Sequence, residues 1–134
     1  MIKVAVDAMG GDYAPSQMVA GAIAAANLRK DIQVVLVGRK EDVEKELSGK
    51  DYPHDRIQIA HASEVIATEE PPVNAIRKKK DSSIVVGMNL VKKGEADAFV
   101  SAGSSGAVLV GGQVIVGRIK GVERPPLAPL IPTE

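Results

Sequence analysis

A valine-rich run ends in a glycine turn at Val4-Ala5-Val6-Asp7-Ala8-Met9-Gly10-Gly11-Asp12, and this strand-to-turn pattern indicates the fold class. The same pattern returns at Ala98-Phe99-Val100-Ser101-Ala102-Gly103-Ser104-Ser105-Gly106-Ala107. A helix-like stretch follows each turn. In a parallel sheet both turns lie at the carboxyl edge, where open α/β proteins bind ligands. We therefore expect the turns to face each other and to form one pocket whose bare backbone N–H groups favour an anion.

The remaining chain alternates between short Val/Ile runs and helical patterns, which favours a three-layer α/β/α fold with a mostly parallel sheet. Four proline residues keep a further extended segment, residues 127–131, out of a central strand. The predicted strands cover residues 2–6, 32–37, 57–60 and 98–100, and the predicted helices cover residues 19–28, 40–47, 71–77, 83–93 and 104–119.

Composition narrows the possible functions. The 134 residues have the usual length of one domain, and we predict a single α/β domain over residues 1–134. The 17 basic and 17 acidic residues balance, so no overall field attracts nucleic acid. The absence of cysteine excludes disulfides, thiolate metal sites and a cysteine nucleophile, and it fits a reducing cytoplasm. No apolar run approaches the roughly 20 residues of a membrane span. The sequence therefore predicts a soluble cytoplasmic protein, with peripheral membrane contact left open.

Four motifs occur in a fixed order along the chain. They are VDAMGGDYAP at residues 6–15, EPPVNAIRKKKDSS at residues 70–83, VSAGSSGA at residues 100–107 and VGRIKGVERPPLAP at residues 116–129. Together they resemble the bacterial PlsX family of phosphate acyltransferases over essentially the whole chain. Members of that family are much longer, so the resemblance is to their amino-terminal portion. The chain departs from the family's usual sequence at one loop, where Ser104 and Ser105 stand in place of Asn and Thr.

The resemblance implies a fold similar to isocitrate and isopropylmalate dehydrogenases. It implies a reaction in which acyl-[acyl carrier protein] and orthophosphate give acyl phosphate and free carrier protein. The acyl phosphate then feeds a glycerol-3-phosphate acyltransferase of the membrane in phospholipid synthesis. It also implies a homodimer. No cofactor or metal is expected.

The glycine turns supply the candidate phosphate-binding residues. Glycine lets the backbone approach an anion, and Ser104 and Ser105 add hydroxyl donors at a helix N-terminus. Asp7 and Asp12 would repel phosphate, so each acts as a base or metal ligand or orients its turn by hydrogen bonds. The predicted phosphate-binding residues are Gly10, Gly11, Asp12, Gly103, Ser104, Ser105 and Gly106, and the predicted catalytic residues are Asp7, Ser105 and Arg77.

Positive charge is concentrated in two places. The run at residues 77–80 follows a short predicted helix, where cations complement the helix dipole or form a solvated face. Its functional interpretation is attraction for phosphate or for an acidic carrier protein. A looser basic set follows the last predicted helix. The predicted carrier-protein contacts are Lys78, Lys79, Lys80, Arg118 and Arg124.

Two other functions remain open from the sequence. One is a metal-dependent dehydrogenase of the related fold, whose paired Asp and Lys/Tyr sites are not evident here. The other is a non-catalytic module that binds phosphate or a partner, which the abrupt end at Glu134 favours.

Overall fold

The computed structural model describes residues 1–118 and 120–121. Four parallel strands form one sheet in the order β3-β2-β1-β4. The strands are β1 (Ile2–Asp7), β2 (Ile32–Gly38), β3 (Ile57–His61) and β4 (Ala98–Val100). The helices are α1 (Ser16–Leu28), α2 (Lys40–Leu47), α3 (Pro72–Lys78), α4 (Ser83–Lys92) and α5 (Ser105–Gly111), the last continuing as a π-helical segment, Gly112–Val116.

Helices cover both faces of the sheet because β2, one of its two inner strands, is apolar on both sides. Val34 and Leu36 of β2 pack with α1 and α2 on one face. Val35 and Val37 point to the other face and pack with α4. Alternation of side chains along a strand produces this division. The predicted three-layer α/β/α fold is confirmed, and the similarity to dehydrogenases stays a prediction.

A third apolar cluster joins α3, α4 and α5 outside the sheet. Ile76 of α3, Ile84 of α4 and Ala107 of α5 are buried together in it. Ser82 caps α4, since its hydroxyl accepts a hydrogen bond from the Val85 N–H at 3.2 Å. The start of α5 lies beside the start of α3, since a Cβ built on Gly106 would lie 2.8 Å from Pro72 Cγ.

The last predicted helix differs from the observed one. The sequence predicts a helix over residues 104–119, but α5 ends at Gly111 and a π-helical turn follows to Val116. The physical reason lies in glycine: Gly111 and Gly112 weaken the α-helix, and Gly117 leaves it with a φ of 98°. The predicted extended segment at residues 127–131 lies outside the described residues.

None of the helices in the described part of the chain has the length and apolar character needed to cross a bilayer.

Candidate functional site

The two glycine turns meet at the carboxyl edge of the sheet. Strands β1 and β4 are parallel neighbours, with Val6 opposite Val100, so Asp7 and Ser101 leave the sheet side by side. A Cβ atom built on Gly10 would lie 2.8 Å from the backbone nitrogen of Gly103. The prediction that the turns share one edge is therefore confirmed.

A chain of hydrogen bonds joins the turns through Asp7, whose side chain is 1% exposed. Its Oδ1 accepts from the Met9 N–H at 3.0 Å, and its Oδ2 accepts from the Ser101 hydroxyl at 2.8 Å. The Ser101 oxygen in turn accepts from the Gly103 N–H at 3.0 Å. Of the roles left open for Asp7, these bonds support orientation of the turns.

The two turns are in direct contact at Gly10, and the expectation of one anion pocket formed by both turns stays a prediction. A Cβ on Gly10 would lie 2.5 Å from Asp7 Oδ2 and 2.8 Å from the Gly103 nitrogen, so the first turn packs directly on the second at this residue. Gly10 is buried, Gly11 is half-buried and Asp12 is exposed. The predicted phosphate-binding residues of the first turn do not line the cavity described next.

The open space lies on the other side of the second turn. A cavity of about 400 Å³, here called the 103–106 cavity, separates residues 103–106 from residues 68–72. Ser104 caps α5, since its buried hydroxyl accepts from the Ala107 N–H at 3.1 Å. Ser105 is exposed at the cavity. The structure thus brings together four of the predicted phosphate-binding residues: Gly103, Ser104, Ser105 and Gly106.

An ion pair holds the opposite wall of the cavity in place. The Lys79 Nζ lies 2.8 Å from Glu70 Oε1 and also donates to the Val65 carbonyl at 2.8 Å. Glu70 Oε2 accepts from the Ala67 N–H at 2.6 Å. The hydrogen bond from Lys79, and secondarily the one from Ala67, lower the pKa of Glu70. Segment 65–70 is therefore tied to α3.

The cavity offers an anion mainly neutral donors. Its second-turn wall carries backbone N–H groups and the Ser105 hydroxyl, while its other wall carries Glu69 and Glu70. Lys79 offsets the charge of Glu70. Among the residues that the structure describes, no lysine or arginine lines this cavity, and no three His, Asp or Glu side chains are grouped as metal ligands.

Comparison with known proteins gives the family. A family model described as fatty acid synthesis protein matches residues 2–134. The chain belongs to this family. Similar curated proteins named phosphate acyltransferase come from Clostridium tetani, Alkaliphilus oremlandii and Caldanaerobacter subterraneus. They are 51%, 52% and 52% identical over 98% of this chain, which corresponds to 39% of each relative. The resemblance seen in the sequence is confirmed, and the chain spans about two fifths of the length of these relatives.

In this member of the fatty acid synthesis protein family, the four cations at residues 77–80, at the end of α3, lie in different surroundings. Arg77 and Lys80 are exposed and line a separate apolar groove, so the structure does not bring Arg77 to the 103–106 cavity. Lys78 is exposed, whereas Lys79 is half-buried and bonded to Glu70. We therefore leave Lys79 out of the carrier-protein contact. Arg118 is exposed, and Arg124 lies outside the described residues.

Sequence reasoning missed three features of this family member's site. Ser101 was detectable, because the parallel pairing of β1 and β4 places it beside Asp7. Segment 68–72 and the Glu70–Lys79 pair were not, since the partners are nine residues apart and no local pattern joins them.

Proposed function

We propose that this chain takes part in phosphate acyltransfer from an acyl-carrier-protein thioester to orthophosphate. A phosphate oxygen bonds to the acyl carbon, the carbon–sulfur bond breaks, and the thiol leaves on the carrier protein. The supporting observation is the 51–52% identity with proteins named phosphate acyltransferase over 98% of this chain. The acyl phosphate product would serve phospholipid synthesis through a membrane glycerol-3-phosphate acyltransferase.

In this proposal the second glycine turn holds the phosphate. The Gly103 N–H already donates to Ser101, so the N–H groups of residues 104–106 and the Ser105 hydroxyl donate to the anion, while the Ser104 hydroxyl caps the helix start. Asp7 acts through Ser101, which fixes the Gly103 N–H. Phosphate is itself the nucleophile, so correct placement and fixed dipoles supply most of the rate enhancement.

The proposed partner surface lies on the exposed cations outside the cavity. Lys78 and Arg118 are both exposed and suit an acidic carrier protein. We also propose a homodimer in the cytoplasm, with peripheral membrane contact bringing the product to its acceptor.

Trapping of the product tests this function. The purified chain is mixed with acyl-carrier-protein thioester and orthophosphate, acyl phosphate is captured with hydroxylamine, and released thiol is followed with a thiol reagent. Because the chain contains no cysteine, every thiol signal comes from the carrier protein. We expect phosphate-dependent formation of both products, with the Clostridium tetani relative as positive control.

A reaction without phosphate gives the background of direct aminolysis by hydroxylamine. Phosphate binding without product would favour a non-catalytic module for this chain. Nicotinamide-dependent oxidation in place of acyl transfer would favour the dehydrogenase. If the chain forms no acyl phosphate and binds no phosphate, the proposal is contradicted.

A further inference from the structure

An apolar groove lies between α3, α4 and the end of α5, and the reaction proposed above does not use it. Its volume is about 380 Å³, within the range of small-molecule sites. It is called here the α3–α5 groove. Its apolar lining is Val73, Ile76, Val85, Val110, Val114 and Ile115.

The polar groups of the groove carry one sign of charge. Arg77 and Lys80, both exposed, line it together with Asn89. The Asn89 amide donates one hydrogen bond to the Val85 carbonyl at 3.1 Å and carries no charge. Among the described residues no carboxylate lines the groove. An apolar trough with two cations and no acid is complementary to an anionic amphiphile.

Helix α5 becomes irregular where its end lines this groove. Gly111 is buried against α3 and α4, since an added Cβ would be 3.5 Å from both Ile76 Cδ1 and Met88 Cγ. The π-helical segment begins at the next residue, and two of its residues, Val114 and Ile115, form part of the lining. Single π-helical turns are frequent at functional sites.

The groove also lies close to the 103–106 cavity along two helices. Pro72 lines the cavity and Val73 lines the groove, one residue further along α3. Gly106 lines the cavity and Val110 lines the groove, four residues or about 6 Å further along α5. A molecule formed at the cavity therefore has an apolar surface within about one helical turn.

We propose that the α3–α5 groove holds a long-chain acyl phosphate, with the chain against the valine and isoleucine side chains and the phosphate at Arg77 and Lys80. This inference rests on the proposed acyl transfer, whose product has this chemistry. Arginine suits the head group because its planar fork donates two parallel hydrogen bonds to a phosphate. The groove would keep a poorly soluble product on the protein until its acceptor arrives.

Calorimetric titration of the 134-residue chain with hexyl, octyl and decyl phosphate tests binding in the groove. Each alkyl phosphate is kept below the concentration at which it forms micelles. Alkyl phosphates are stable analogues of the product. We expect each added methylene to tighten binding about fourfold, which is about 0.8 kcal/mol at 1.4 kcal/mol per tenfold. Octanol should bind at least fivefold more weakly than octyl phosphate. Equal affinity for hexyl and decyl phosphate, or for octanol and octyl phosphate, would overturn the proposal.

Two variants locate the binding. Val114→Asp places a charge on a side chain that is 68% exposed, so folding should persist while decyl phosphate affinity drops about tenfold. The double variant Arg77→Gln/Lys80→Gln should lose about fivefold. Lys92→Gln/Lys93→Gln is the matched control, because it also removes two exposed cations and neither lines the groove. Equal effects of the double variant and the control would place the head group elsewhere and refute the assignment.

Two further outcomes separate this inference from the proposed function. If no alkyl phosphate binds but acyl phosphate still forms in the trapping assay, the groove is not a binding site and the proposed acyl transfer is retained. Binding by this chain but not by the Clostridium tetani relative would show that the rest of the longer chain fills the groove, which would also overturn the proposal.

Discussion

Replacement of Gly10 by alanine tests the contact between the two glycine turns. The new Cβ would lie 2.5 Å from Asp7 Oδ2 and 2.8 Å from the backbone nitrogen of Gly103. Neither atom can easily move, because Ser101 bonds to both. The turns must therefore separate, or Asp7 must give up its hydrogen bond.

The size of the effect follows from these contacts. Overpacking costs about 1 to 3 kcal/mol, and loss of a partner by a buried polar group costs about 1 to 3 kcal/mol. Since movement that relieves the first produces part of the second, we expect Gly10→Ala to lose about 2 to 4 kcal/mol of stability. Backbone strain does not add to this cost, because the φ angle of Gly10 lies outside the positive region.

Gly21→Ala is the matched control. Gly21 lies within α1, and no atom lies within 4 Å of an added Cβ. Alanine is favoured over glycine in a helix by about 1 kcal/mol, so this variant should gain stability. The two glycine-to-alanine changes therefore have opposite expected signs.

Urea denaturation followed by circular dichroism measures both variants, since the protein has no tryptophan for fluorescence. With a slope of about 2 kcal/mol per molar urea, Gly10→Ala should lower the midpoint by about 1 to 2 M at an unchanged slope. If Gly10→Ala unfolds at the wild-type midpoint while Gly21→Ala unfolds at higher urea, the turns do not touch in solution and the reasoning fails.

Two other substitutions probe the walls of the 103–106 cavity. Because the Lys79 hydrogen bond lowers the pKa of Glu70 below its ordinary value of 4.5, this pair stabilises the fold above about pH 4.5 and the contribution is lost as pH falls further. Between pH 5 and 3 the unfolding free energy of Glu70→Gln should therefore decrease less than that of the wild type. Urea titration at each pH measures this, and an equal decrease in both proteins would contradict the role of the pair. Ser104→Ala should lose about 1 kcal/mol in the same measurement, because the Ala107 N–H loses its cap, whereas Ser104→Asp should retain most of the stability. Equal stability of Ser104→Ala and wild type would show that the cap does not form.

Much of the fold was predictable because local patterns carried it. The uninterrupted apolar run 34–37 in β2 predicted a strand buried on both faces, and parallel strands require helices between them. The cap at Ser82 and the helix end before Gly94, whose φ is 75°, were likewise local signals. The length of α5 was not predictable, since a π-helical turn depends on how Gly111 packs against α3 and α4.

The candidate site was predictable only in part. The second glycine turn carries its own signal, because glycine and serine at the start of a helix indicate an anion-binding turn. Its opposite wall depends on Lys79 reaching Glu70 across a loop, whereas charge patterning alone predicted that lysine to be a carrier-protein contact. The same limit applies to Arg77, whose place in a groove depends on how α3 packs against α4 and α5.

The amino-acid sequence by itself determined the order of strands and helices, the edge at which both glycine turns emerge and the family to which the chain belongs. These properties follow from short-range periodicity and from motifs that are contiguous along the chain. The direct contact between Gly10 and Gly103, and the position of the open cavity against residues 68–72, came from the folded structure alone. Such distances depend on packing between segments that are far apart along the chain, as Asp7 and Ser101 are at 94 residues, and no local pattern encodes them.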